Sequence, residues 1–500
     1  MGFCASIFNS LQSTAYVRLL SLALLICFIV TSLAPLSALA ETAAGPDTIG
    51  HLRADVSTST ISLSRAISLA VQNYPTLKRT QAAVNKNAAA INLAKTAYLP
   101  SFDVLGQELR TTTNNIAGAI FPQVLNVVPM QTGPATSSSS FKSIFANDYG
   151  FNLSYLVYDG GFRKANVQVA RAKERTANAD IDLTLLDVQA AAAEAYLAAV
   201  SNHEVIQAQA ATVERMKAYN LIVHTQVNSG LRPGVDAARA DADLSAAKIA
   251  LIEAEREFSL ASVDLAESLG LAGKDIMVDD RPWIKQPTPV AVPLRMPPEQ
   301  HPLAILRSKQ VAEAQAQVKS TQKSYRPRLW FHSGMWARGS GSKIDARPVA
   351  GGTIPQNANY IAGFGLDFPV MDYFAVKAKT RMAREVEAEE KAQYDLAIQQ
   401  LIKKDSRAKI LYQNALKIAE QTPTLVLSAR ENEDKALERY RVGLCNILEP
   451  AEAQRILQNA AMQDAVAQVR VWRALLAIAY AQGDIKTFVN VAKMAEAATR

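Results

Sequence analysis

The chain has 500 residues, 49% of them apolar and 20% charged, with a net charge of +7. These proportions fit a globular chain that buries a large core, and they exclude a disordered or collagen-like one. Basic residues are scattered among acids with no stripe of interleaved aromatics, which argues against nucleic acid as a partner.

The first forty residues carry one charge, Arg18, followed by the apolar run LLSLALLICFIV and the small-residue motif Ala38-Leu39-Ala40 before Glu41. This pattern predicts a secretory signal peptide over 1–40, with a retained membrane anchor as the competing reading. Ile26 is too bulky for a good lipid-attachment site before Cys27. The mature chain then starts near Glu41 with a charge of +6, since Arg18 leaves, and Cys445 is its lone cysteine, so no internal disulfide is expected. No later run reaches the roughly 18 apolar residues of a membrane helix, whereas short alternating barrel strands remain open.

After a linker over 41–60, the chain repeats itself. Residues 74–100 match 301–327 at an offset of 227, pairing Pro75, Val84, Ala89, Tyr98 and Pro100 with Pro302, Val311, Ala316, Tyr325 and Pro327. Residues 150–172 match 363–385 at an offset of 213, which also pairs Gly230-Leu231 with Gly443-Leu444. The difference is absorbed by a longer polar insert at 103–149 than at 330–362. The predicted organisation is a first repeat over 61–274, a Pro-rich linker over 275–300, a second repeat over 301–485 and a tail over 486–500. Each repeat reads helix, strand, loop, strand, long helix, break, long helix.

Residues 162–229 contain no Gly or Pro and would extend about 100 Å as a helix. Their counterpart, 374–442, holds Pro423, which predicts a kink or local unwinding. After each break comes a heptad: Leu244, Leu251, Phe258 and Leu265, with alanines at 240, 247, 254 and 261, then alanines at 453, 460, 467, 474 and 481. Such repeats predict left-handed supercoiling, and alanine seams let helices approach closely.

Phe151, Leu153, Tyr155 and Val157 alternate with more polar positions, as do Phe364, Leu366, Phe368 and Val370, which is strand periodicity. Weaker strand partners are expected near 101–110 and 328–337. The aromatics around them fit either the girdles of a membrane barrel or a soluble sheet core. Four strands cannot close such a barrel, and an open edge in lipid leaves backbone groups unsatisfied, so a membrane reading requires several chains.

The second break, RYRVGLCNILEPAEAQ (439–454), reopens with Glu449 and Glu452. With Asn446 as cap, Glu449 would be the third helical residue, where acids offset the helix dipole. Gly443 reads as a C-terminal helix glycine, and Asp159 and Asp372 as N-caps. Arg163 and Lys164 read as solvated charges near a membrane boundary. The five histidines show no metalloprotease spacing, Cys445 lacks a local histidine, and the loop glycines lack the lysine of a phosphate loop. No enzyme, cofactor or metal is therefore expected.

The duplication, YLVYDGGFRKA (155–165), the P-x-L start of each repeat, and the VNSGLRPGVDAARAD (227–241) and RVGLCNILEPAEAQ (441–454) stretches together resemble the TolC-type outer-membrane efflux protein family. The resemblance spans about 60–485. It implies a mostly α protein with a small β part, whose duplicated helical hairpins form an α-barrel across the periplasm. Four strands per chain would join a trimeric twelve-stranded barrel among outer-membrane lipids. It implies a homotrimeric channel of a tripartite efflux or type I secretion system, working with a periplasmic adaptor and an inner-membrane transporter. A periplasmic adaptor and an exported coiled-coil scaffold are the competing classes. Extracellular loops would lie at 111–146 and 338–359. The resemblance places adaptor-docking tips at Gly230, Leu231, Asp236, Val442, Gly443 and Leu444, and pore-constricting acids at Glu449 and Glu452. It also puts Cys445 where some relatives carry a basic residue that clasps the entrance shut.

Overall fold

The structure is a computed structural model that describes residues 60–112, 114, 119–120, 130–131, 135, 137–283, 297–341 and 352–499. The expected signal peptide, nearly all of the 41–60 linker and the middle of the Pro-rich linker lie outside the described residues. Residues from Thr60 onward form one compact unit.

Each repeat opens with a helix whose first residue is proline, α2 at Pro75–Thr96 and α5 at Pro302–Lys323. Proline suits that position because its missing N–H has no helical partner there. A short helix precedes the first, α1 at Leu63–Asn73, where the Ser62 hydroxyl accepts from the Arg65 N–H as a cap.

The strands are β1 (Ser101–Thr112), β4 (Ser143–Tyr158), β5 (Arg328–Ser340) and β6 (Asn357–Asp367), with a two-residue ribbon, β2 (Ala119–Ile120) and β3 (Met130–Gln131), in the first loop. The four long strands form one antiparallel sheet in the order β1-β4-β5-β6, so the repeats meet where β4 pairs with β5. The strands run further than expected into both proposed extracellular loops, claiming 111–112, 143–146, 338–340 and 357–359.

Register separates the two faces. Val104 pairs with Phe151, Phe151 with Met335 and Met335 with Tyr360, while Phe331 pairs with Phe364 and Leu329 with Leu366. Directly paired residues share a face, so one face gathers these apolar side chains. The opposite face carries Asp103 against Asn152, Asn152 against Gly334, and His332 against Gly363. Among the described residues the sheet's extensive contacts are all strand to strand, and no helical layer covers it. Phe102, Val104, Tyr360, Phe364 and Leu366 are accordingly exposed. From Tyr360 to Leu366 the strand climbs about 20 Å at roughly 3.4 Å per residue.

The long helices are α3 (Phe162–Asn228, 67 residues) and α6 (Asp372–Arg441, 70 residues), each folded back on a partner, α4 (Gly234–Ser268) and α7 (Leu448–Gln482). Helix α6 runs unbroken through Pro423, so the expected local unwinding does not occur. The alanine heptads are the buried seams: Ala240, Ala247, Ala254 and Ala261, and Ala453, Ala460, Ala467, Ala474 and Ala481 are all buried. One 18-residue window of α3 is apolar enough to cross a membrane by length and composition, a stretch that counting continuous apolar runs overlooks, and 44% of it is buried within the chain.

Three expectations change at the ends of elements. Asp372 is the first helical residue of α6 and makes no side-chain cap; Asp159 does cap, accepting from the N–H groups of Gly161 and Arg163 at 3.0 and 2.7 Å. Arg163 is buried rather than solvated. Its guanidinium bonds Asp159 at 3.1 Å and lies 4.7 Å over the Tyr98 ring, fastening the start of α3 to the turn between α2 and β1. Residues 275–283 are packed rather than linker-like, since Ile61 bridges Val278 and Trp283 is fully buried. The tail is helix α8 (Ile485–Thr499), whose buried Phe488 meets Trp472 edge-on.

Candidate functional site: the paired hairpin tips

Both helical hairpins turn at their far ends by the same device. After α3, Gly230 adopts a φ of +75°, its N–H donates to Val227 O, and the Leu231 N–H donates to Gln226 O at 2.9 Å. After α6, Gly443 has a φ of +82°, its N–H donates to Tyr440 O, and the Leu444 N–H donates to Arg439 O at 2.9 Å. Each is a Schellman closure, which needs a left-handed residue after the helix and hence glycine. The apolar residue beyond the glycine ordinarily folds back on the helix end. Here Leu231 is 73%, Val442 69% and Leu444 71% exposed, so these side chains are left largely uncovered by the described residues.

Beneath this surface the tips are tied to each other. Tyr219, Val223, Ala240, Tyr440 and Ile447 form a buried cluster, with Cys445 packed against it. The Tyr440 hydroxyl donates to Asp236 Oδ2 at 3.0 Å. Burial, and then the hydrogen bond to Asp236, push the Tyr440 hydroxyl up to about 12. Arg232 donates from Nη2 to Tyr440 O at 2.7 Å and to Cys445 O at 3.3 Å, with its guanidinium 4.4 Å over the Tyr440 ring. Gln226 adds a bond from Nε2 to Arg441 O at 3.2 Å.

Asp236 therefore does not belong with the exposed tip residues. It is buried in the first turn of α4, and its carboxylate braces one tip against the other. The Cys445 thiol is no substitute for a basic clasp. It is part-buried, points at Ala436 O, and is pushed up chiefly by burial.

The two glutamates face outward. The N-cap position falls to Ile447 rather than Asn446, whose Oδ1 accepts from the Leu448 N–H at 3.1 Å in a turn just before the helix, and Glu449 is the second helical residue, not the third. Glu449 pairs with Arg439 across the turn, and Glu452 pairs with Arg455 on the same helix. The hydrogen bond from Arg455 holds the Glu452 carboxyl below the usual carboxylate range. Within one chain, then, Glu452 is displaced in the opposite sense to the rise expected from a ring of like charges.

Sequence reasoning missed Arg232, Tyr440, Arg439 and Arg455. One signal was available. At the repeat offset of 213, Arg232 is the twin of Cys445 and Asp236 the twin of Glu449. The base absent from the second tip stands at the same position of the first.

The chain thus combines a bare sheet with one apolar face and two antiparallel hairpins whose longer helices each run about 100 Å. Residues 66–271 match the family model described as outer membrane efflux protein. That match covers the first repeat and agrees with the resemblance drawn from the motifs. Solved structures share the fold. CusC is 14% identical with a TM-score of 0.70, covering 85% of this chain and 93% of its own. The CmeC outer membrane channel of Campylobacter jejuni is 16% identical with a TM-score of 0.68, covering 86% and 89%. The outer membrane protein VceC of Vibrio cholerae is 15% identical, also at 0.68, covering 84% and 96%. No match was found among curated protein sequences. Neither the adaptor nor the scaffold reading gains support from these findings.

Proposed function

We propose that three copies of this chain form the outer-membrane duct of a tripartite efflux or type I secretion system. The observation that carries this reading is the uncovered sheet. Its edges, β1 and β6, hold ladder groups that only another strand can satisfy in lipid, and its faces are mainly apolar on one side and mixed on the other, where Asp103, Asn152 and His332 lie among small residues and the tryptophans Trp330 and Trp336. Three copies joined edge to edge make twelve strands with the apolar face toward lipid and the mixed face toward the lumen.

The tips then point into the periplasm. Gly230, Leu231, Val442, Gly443 and Leu444 offer an adaptor a small, apolar docking surface, with an inner-membrane transporter beyond it. Asp236, Tyr440 and Arg232 hold each protomer's tips together beneath that surface. Glu449 and Glu452 come toward the threefold axis as arginine-paired acids, a charged constriction rather than a ring of bare carboxylates.

The test is membrane extraction with mild electrophoresis. The protein should resist carbonate and high-salt washing and run as a trimer band that collapses on heating. Release by carbonate would overturn the barrel reading.

A further inference from the structure

Away from the tips, α3 carries His203 and Glu204 beside Asp280, in the packed segment that follows α4. Three parts of the chain meet here. His203 Nδ1 lies 2.8 Å from Asp280 Oδ2, and its ring leans on Phe258 of α4 with centroids 5.5 Å apart. The Asp280 backbone is held firmly: the neighbouring Asp279 carbonyl accepts from the Tyr196 hydroxyl at 3.0 Å and from the buried Trp283 indole at 2.9 Å.

Glu204 completes the group. Its Oε1 is shielded from solvent and has no hydrogen-bond partner, a costly state for a carboxylate oxygen. Burial, and then the charge of Asp280, push the Glu204 carboxyl up, with His203 opposing. A cation between the three would relieve both effects.

One atom from each side chain, all three half-buried, lies within 4.8 Å of the others. Ligand atoms around a zinc-sized ion at about 2.1 Å stand roughly 3–4 Å apart, so the cluster needs to close only slightly. One imidazole nitrogen with two carboxylate oxygens suits a borderline divalent transition ion, and the remaining positions can be filled by water from the open side.

We propose that His203, Glu204 and Asp280 bind one divalent transition cation of the zinc class per chain, clamping α3 to the segment that leaves α4. An ion seated there cross-links the exit of the first repeat to the wall of the tunnel, and it stabilises the folded state because the unfolded chain has no such site.

The test uses the tag-free, full-length protein in detergent, stripped with chelator and titrated with Co2+ as a visible-absorbance probe, then with Zn2+ as competitor. The expected result is a saturable spectrum at one Co2+ per chain, displaced by Zn2+. His203→Gln and Asp280→Asn should each weaken binding at least tenfold, and Zn2+ should raise the thermal midpoint of the natural protein but not of these variants. The heat-labile trimer band shows that a variant has folded; if either fails to fold, Glu204→Gln replaces it. His224→Gln, at a half-exposed histidine paired with Asp241, should leave binding unchanged. Absence of saturable Co2+ binding, equal affinity in His203→Gln, or loss of binding in His224→Gln would each overturn the proposal and leave His203–Asp280 an ion pair only.

Discussion

The acid after the glycine turns inward at the first hairpin tip; its twin, 213 residues later, turns outward. Asp236 is buried and accepts the Tyr440 hydroxyl, whereas Glu449 sits at the surface against Arg439. The base is divided the same way. Arg232 reaches across to hold two carbonyls of the second tip, and its counterpart is the uncharged Cys445. Duplication supplied two equal turns, and divergence made one of them the clasp and the other the thing clasped. The lesson is that equal backbones with closely matched glycines need not share a role. Burial decides what each carboxylate does.

That asymmetry can be broken. Arg232→Ala should have the largest effect, because it strips charged hydrogen bonds from two carbonyls and a cation–π contact from Tyr440. Loosening of about 2–3 kcal/mol is expected, which hydrogen exchange would read as roughly 30- to 150-fold faster exchange of tip amides. Cys445→Ala, its twin substitution, should change exchange less than threefold. Equal effects would refute the division of roles. Asp236→Ala comes next. It leaves the buried Tyr440 hydroxyl without its acceptor, at about 1–3 kcal/mol. Its partner test, Glu449→Ala, should cost about 0–1 kcal/mol, since exposed ion pairs contribute little.

Gly230 and Gly443 sharpen the comparison differently. A Cβ at either position meets nothing within 4 Å, so substitution adds backbone strain alone, about 1–2 kcal/mol for a left-handed L-residue. Gly443→Leu should impair export while trimers still form, and Gly230→Leu should do so if both tips dock a partner. Normal export in Gly443→Leu would end the docking role. A smaller effect comes from pH. The Tyr440 hydroxyl titrates higher in the folded protein than in the unfolded chain, so its stabilisation is complete below about pH 10 and is lost as pH rises toward about 12. Other buried tyrosines shift the same way, so the informative quantity is the difference from Tyr440→Phe, which should show less alkaline loosening at the tip. Smallest in stability is Glu449→Ala with Glu452→Ala. That pair should weaken divalent-cation block in planar bilayers with the trimer intact, and unchanged block would remove both from the constriction.

Much of this was written in local pattern. The duplication, the heptad alanines and the strand alternation each depend on side-chain period alone, and all reappear as long hairpins, buried seams and one sheet. The glycines at 230 and 443 were legible for the same reason, because a helix end that needs a left-handed residue selects glycine. Arg163 was misread because a single charge beside a turn looks solvated until Asp159 and Tyr98 close over it. The unwinding expected at Pro423 does not occur because a 70-residue helix packed along its length stays helical past one missing N–H.

The sequence by itself determined the repeated unit, the length of its helices, the places where they turn and the alternating strands, since these rest on periodicity and on what single residue types permit. Only the tertiary structure decided the joining of the two repeats in one sheet at β4–β5, the inward turn of Asp236 against the outward turn of Glu449, and the reach of Arg232 across the turn. Each depends on which residues far apart in the chain arrive side by side, and on how much water remains between them.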